Sequence, residues 1–128
     1  MQVRHLIPND IFEKMISYLT LRDRAIAKLL YFGAPILQKH VFSLRIDQVD
    51  FENNRINFDS EFIDFERDVF LDLDILVGKR KTGYVFIGRH EKKIDPTVPF
   101  RALKKAARDV GLGADFSLKH LSVWTINR

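Results

Sequence analysis

The stretch Thr20-Leu21-Arg22-Asp23-Arg24-Ala25-Ile26-Ala27-Lys28-Leu29-Leu30-Tyr31-Phe32-Gly33 sets the architecture of the first half of the chain. Thr20 is a residue type that caps helices, and Asp23 stands three positions on, close to a capping box. Ile26, Leu29 and Leu30 recur at helical spacing and form an apolar stripe. Gly33 is placed to end the helix as its C′ residue. Working outward, Asn9 can cap an earlier helix in which Phe12, Met15, Ile16 and Leu19 share one face. On the other side, Pro35 suits the first turn of a third helix, Ile36 to Leu44.

Beyond Leu44 the period changes from helical to alternating. Val49 and Phe51 flank Asp50, and Ile56 and Phe58 flank Asn57. Glu52-Asn53-Asn54 between them is turn chemistry. Phe62-Ile63-Asp64-Phe65 and Val69-Phe70-Leu71 read as further strands. No crossover helix separates these runs, so the sheet is expected to be antiparallel. Helices then return. Asp72 to Val77 is expected as a short helix, and Lys79-Arg80-Lys81-Thr82-Gly83 as a basic loop. Tyr84-Val85-Phe86-Ile87 reads as a strand or a buried connector. Thr97 is expected to cap a helix from Val98 to about Val110, with Pro99 harmless in its first turn and Gly111 ending it. Ser117 is expected to cap a last helical segment carrying Leu118, Leu121 and Trp124. The fold class is therefore α+β: one mainly helical domain over residues 1–128 with a small antiparallel β-sheet.

Composition agrees with one globular domain. The chain has 128 residues, of which 46% are apolar and 30% charged. That is enough to bury a core and too apolar for a disordered tail. No apolar run approaches the roughly 20 residues that span a bilayer. Pro8, Asn9 and Asp10 interrupt the start before an apolar signal region forms. There are no cysteines, so disulfides, thiolate metal sites and thiol nucleophiles are excluded, and a cytoplasmic setting is the simplest fit. The four histidines, His5, His40, His90 and His120, show no ligand spacing, so no metal is expected. Gly111-Leu112-Gly113 is a helix stop and a turn, not a phosphate-binding loop. No cofactor, small-molecule substrate or membrane partner is expected.

Charge is distributed in blocks. Residues 1–45 carry a net +4, residues 46–78 a net −8, and residues 79–128 a net +8. Basic blocks fit a polyanionic partner, usually nucleic acid, or a solvated surface. The sharpest basic feature lies on the helix after Thr97. Arg101, Lys104, Lys105 and Arg108 stand at i, i+3, i+4 and i+7, opposite Phe100, Leu103, Ala107 and Val110. Such a stripe either tracks phosphates or is the solvated side of an amphipathic helix. Lys39 and His40, and Lys79, Arg80 and Lys81, are further candidate DNA contacts. Arg89, His90, Lys92 and Lys93 form a similar charged loop. The phenylalanines Phe58, Phe62, Phe65 and Phe70 read as core.

Two stretches of the chain resemble the catalytic domain of the tyrosine recombinase (phage integrase) family. The first runs from Arg22 to Gly33 and on through Leu44-Arg45-Ile46-Asp47-Gln48-Val49-Asp50. The family there reads "rdrail.llly.tG", a "GlRisEl" helix start, then "aLrw.Did". The second is Phe100-Arg101-Ala102-Leu103-Lys104-Lys105-Ala106-Ala107-Arg108-Asp109-Val110-Gly111-Leu112, then Ser117-Leu118-Lys119-His120-Leu121-Ser122. It is similar to "lkkaak.aGl….tpHdLRHT". Order and spacing agree from about Arg4 onward.

The resemblance implies the fold and DNA as partner, but not the family's chemistry. Those enzymes cut DNA with a tyrosine nucleophile while Arg, Lys and His groups stabilise charge on the phosphate. Here Pro35 stands at the first catalytic arginine position and Gln38 at the acidic one. With Val69-Phe70-Leu71 matched to the family's "VpL" strand, the preceding Asp59 to Glu66 contains no lysine. Lys119 replaces the first histidine and Ser122 the second arginine. A register shift to His120 leaves Val123 at the arginine position. Tyr18, Tyr31 and Tyr84 do not lie at the nucleophile's place. The resemblance therefore implies a catalytically inactive, tyrosine-recombinase-like DNA-binding domain, a phage- or mobile-element-derived regulator or accessory factor, with Lys119 among its DNA contacts. Two alternatives stay open. One is a protein–protein or architectural module using the acidic segment, with self-association or a protein partner. The other is an active recombinase whose tyrosine lies outside these 128 residues. A stop inside a helix at Arg128 would favour C-terminal truncation or an unusually short protein.

Overall fold

The computed structural model describes residues 2–5, 7–33, 38–59, 61–112 and 124–127. The central element is helix α2, Leu21–Phe32, formed by the Thr20–Gly33 stretch as its pattern predicts. Thr20 Oγ1 accepts from the Asp23 amide at 3.4 Å, meeting one of the orphan donors of the first turn. Ala25, Ile26, Ala27, Leu29 and Leu30 are buried. Gly33 ends the helix for a packing reason and not for a left-handed backbone. Its φ is −94°, but a Cβ there would meet the Leu29 carbonyl oxygen at 2.6 Å and the Phe65 ring at 2.9 Å.

Helix α1, Asn9–Ile16, starts one residue earlier than expected, with Pro8 at the cap position. It buries Phe12, Met15 and Ile16. Phe12 stacks on Tyr31 with centroids 3.9 Å apart, and Tyr31 donates its hydroxyl to the Ile7 carbonyl at 2.6 Å. Helix α3, Gln38–Phe42, ends two residues before the expected Leu44; Pro35, Ile36 and Leu37 lie outside the described residues.

The three-stranded antiparallel sheet has the order β2 (Val49–Asp50), β3 (Arg55–Phe58), β4 (Glu61–Asp64). Val49 pairs with Ile56, and Ile56 with Ile63. The Asp50 carboxylate builds the first turn, accepting from the amides of Glu52 and Asn53, both at 3.2 Å, and from Asn53 Nδ2 at 2.8 Å. Those bonds hold its carboxyl below the usual carboxylate range.

Three expectations need correction. Val69-Phe70-Leu71 is not a strand: these residues and Asp72–Val77 form one helix, α4, Arg67–Val77. Val69, Phe70, Leu73 and Val77 are its buried stripe while Leu71 is half exposed. A three-residue apolar run carries no period, so it could not separate strand from helix. Phe62 is not core; it is 67% exposed on the outer face of β4. The last described residues are not helical. Trp124–Asn127 is strand β5, antiparallel to β1, Gln2–His5, with Gln2 opposite Asn127 and His5 opposite Trp124. Ser117, Leu118 and Leu121 lie outside the described residues.

Tyr84–Ile87 proves to be a buried connector. The Val85 amide donates to the Leu44 carbonyl at 2.8 Å and the Ile46 amide to the Gly83 carbonyl at 2.9 Å; Val85 and Phe86 are buried. Helix α5, Thr97–Asp109, follows. Its start is fixed by Asp95, whose Oδ1 accepts from the Thr97 amide at 3.0 Å and hydroxyl at 2.7 Å. Thus Pro96 holds the cap position, and Thr97, expected as the cap, is the first residue of the helix. Gly111, at φ 88°, closes the other end, and the Leu112 amide returns to the Ala107 carbonyl at 2.9 Å.

Helices α3, α4 and α5 all pack on α2. The α2–α4 seam carries an ionic cluster. Arg24 meets Asp72 through Nε–Oδ2 at 3.3 Å and Nη2–Oδ1 at 3.2 Å. Lys28 Nζ reaches Asp68 at 2.7 Å and Asp72 at 3.5 Å. No described helix is long and apolar enough to cross a membrane.

Candidate nucleic-acid interface

Helix α5 presents its charges as the spacing predicted. Leu103, Ala106 and Ala107 are buried, whereas Arg101, Lys104, Lys105 and Arg108 are exposed. Two of the four are oriented from within the helix. Lys105 Nζ lies 3.1 Å from Asp109 Oδ2, and Lys104 Nζ lies 5.6 Å from the Phe100 ring centroid. Pairs this exposed contribute little to stability, so both ammonium groups stay available to a polyanion.

The other sequence candidates fare differently. Lys39, Lys79 and Lys81 are exposed. His40 is half-buried, its Nδ1 3.3 Å from Asp59 Oδ2 at the tip of the β3–β4 hairpin. Arg80 turns inward instead of toward solvent. It donates to three carbonyls, those of Tyr84 at 2.6 Å, Leu76 at 3.2 Å and Val85 at 3.2 Å. It clamps the end of α4 to the buried connector and leaves the basic loop with two outward lysines. Lys119, like Pro35, His120 and Ser122, lies outside the described residues. Among the described residues, no side-chain bond joins Lys39 or the 79–81 loop to the α5 face.

Because Val69–Leu71 is helical, the segment searched for a lysine by sequence shifts to the strands before α4. The strand entering α4 is β4, and the hairpin before it runs from Arg55 to Asp64. No lysine occurs in that hairpin. Arg55 is held by Asp64, Nε–Oδ1 at 2.8 Å.

The structure also gathers cations that sequence spacing did not connect. A cleft of about 700 Å3 opens between the start of α2 and the approach to α5. Arg22, Arg89 and Lys93 line it with Ile87, Ile94, Val98 and Asp95. Arg22 and Lys93 are 71 residues apart in sequence, so no local pattern announced the group. Val98 of α5 is part of the lining, which puts the cleft at the N-terminal end of that helix. Asp95 is kept ionised by its bonds to the Thr97 hydroxyl and amide, which, with Arg101, hold its carboxyl below the usual range.

A helical domain with α2 at its centre, a three-stranded antiparallel sheet inserted after α3, and a basic α5 packed on α2 is a tyrosine-recombinase catalytic-domain-like fold. A solved structure of XerA recombinase is similar to this chain with a TM-score of 0.73 at 17% sequence identity. The match covers 94% of this chain and 48% of that one, so the chain spans about half the length of that structure. At this identity the likeness is one of fold. No protein-family model matches the sequence, and no curated protein matches it.

Proposed function

We propose that the chain binds DNA without cutting it, with the exposed face of α5 as its main contact. The observation that carries this reading is the separation on α5: Arg101, Lys104, Lys105 and Arg108 exposed, Leu103, Ala106 and Ala107 buried, on a recombinase-like fold. Lys39, Lys79 and Lys81 are secondary contacts, and Lys119 is a further one by resemblance. Neutralising phosphates releases counterions, so affinity falls steeply with salt. Loss of cleavage is supported by the sequence. Pro35 and Ser122 hold positions where the family has arginine, and the hairpin carries Asp59 and Glu61 in place of a lysine. A regulator or accessory factor from a phage or mobile element, working in the cytoplasm, fits a domain that keeps the scaffold and loses the reaction.

A second reading rests on a separate observation. The acidic middle of the chain exposes Phe62 at 67%, Ile75 at 67% and Leu71 at 51%, as a protein-docking module would. Two measurements separate the readings. A gel-mobility shift on duplex DNA, run from low to high salt, gives a retarded band that disappears at high salt for a DNA binder. No band at any salt favours the docking module. Incubation with supercoiled plasmid should leave it supercoiled. A covalent protein–DNA adduct or nicked product would restore catalysis and overturn the inactive reading.

A further inference from the structure

We propose that the cleft of Arg22, Arg89 and Lys93 seats a phosphoryl group of a nucleotide, with the attached sugar or base lying on the aliphatic floor of Ile87, Ile94 and Val98. The proposal rests on the DNA-binding reading and gives it a second, chemically distinct contact. Four observations support it. Cations from α2, from the Arg89–Glu91 turn and from the strand-like run after it converge on one space of about 700 Å3. Neither Arg89 nor Lys93 makes an ion pair with a described residue, so both are available to a ligand. The carboxylate in the lining, Asp95, already spends Oδ1 on the Thr97 amide and hydroxyl, so it competes weakly for those cations. Arg22 is steadied by Nε–Asp23 Oδ1 at 3.2 Å, which aims a charged group without removing its charge.

The floor sets the ligand class. Val98 is 49% exposed and lines the cleft with Ile87. An isolated anion would leave that apolar surface wet. A nucleotide covers it, since a base or deoxyribose packs on aliphatic side chains while its phosphate meets the rim. A solvated duplex face touches only the rim, so the cleft suits a strand end or an unstacked nucleotide.

The test is an NMR titration of 15N-labelled protein at fixed ionic strength with thymidine 5′-monophosphate, inorganic phosphate and thymidine. The proposal expects saturable amide shifts at Gly88, Arg89, Lys93 and Val98 with the nucleotide, weaker binding of phosphate, and no saturation with thymidine. Arg89→Gln with Lys93→Gln, both exposed, should retain the parent spectrum elsewhere and bind the nucleotide about tenfold more weakly for each charge-assisted hydrogen bond removed. Silence of the cleft amides, or equal shifts with thymidine, overturns the proposal. Equal shifts with hexaglutamate, an acidic peptide probe, also overturn it, making the cleft a general anion patch or a peptide site. Duplex DNA added to the same sample separates the two readings. If the nucleotide saturates the cleft while duplex moves neither the cleft nor α5, the phosphoryl site stands and the DNA-binding reading fails. If duplex moves α5 while no probe moves the cleft, the site alone fails.

Discussion

Tyr31 shows how much one side chain holds together in this core. It stacks on Phe12, lies edge-on to Phe32 with centroids 5.1 Å apart, and bonds the Ile7 carbonyl. Burial, with smaller contributions from the charges of Glu13 and Asp10, pushes its phenol up to about 12. In the unfolded chain the phenol loses its proton near its ordinary value of 10.0, while the folded protein retains it. Stability from this group is therefore complete below about pH 10 and declines as pH rises toward 12. Tyr31→Phe should lower stability at neutral pH by about 1–3 kcal/mol, because the Ile7 carbonyl is left without its donor. The same variant should show a shallower alkaline decline than the parent. Melting temperatures of both proteins from about pH 7 to 12 check this; parallel curves would contradict it. The sequence reading placed Tyr31 on the α2 helix but did not assign it to the core. Its bond to a carbonyl 24 residues away was not legible either, because nothing local encodes it.

At the scale of elements, α2 and α5 were legible, and of α4 only its second half, Asp72–Val77, was. The first two are long amphipathic runs with recognisable stops, Gly33 and Gly111. The third follows a sheet whose alternation biases the next apolar triplet toward strand, and only its packing against α2 decides. The helical assignment is testable by substitution. On a strand, Val69 and Leu71 would share a face; on α4, Val69 shares its face with Leu73. Leu73→Ala should cost about 2–5 kcal/mol, and Leu71→Ala about 0.5 kcal/mol or less, read by urea unfolding. Similar costs for both would contradict the helix. The α2–α4 ionic cluster gives a second contrast. Asp72, 9% exposed, faces both Arg24 and Lys28, so Asp72→Ala should cost up to about 3 kcal/mol, the low end for a broken buried pair, because Arg24 reaches solvent. Asp68, with its side chain 59% exposed, should cost about 1 kcal/mol or less when replaced by alanine. Equal effects in the same urea series would show that burial does not decide the cluster's energetics. Strands β1 and β5 lay beyond sequence reading for another reason. Each is four residues long and its partner is at the opposite end of the chain.

For the whole molecule, the block charges foretold the surface only in outline. The basic block after residue 78 divides on folding. Arg80 turns inward to carbonyls, Arg89 and Lys93 join Arg22 at a cleft, and the four cations of α5 form a separate face. The α5 face was readable because i, i+3, i+4 and i+7 is a property of one helix. The cleft was not, because it joins residues from three elements. The central claim is that the α5 face grips DNA. The direct measurement is fluorescence anisotropy of a labelled duplex across a salt series, for the parent and for Lys104→Glu with Lys105→Glu, with thermal melts of both. The account predicts much weaker binding by the variant and a slope of log affinity against log salt reduced by about 0.9 for each phosphate no longer neutralised. It also predicts a nearly unchanged melting temperature, since both lysines are exposed. Equal affinity and an equal salt slope would contradict it, leaving α5 a solvated helix face.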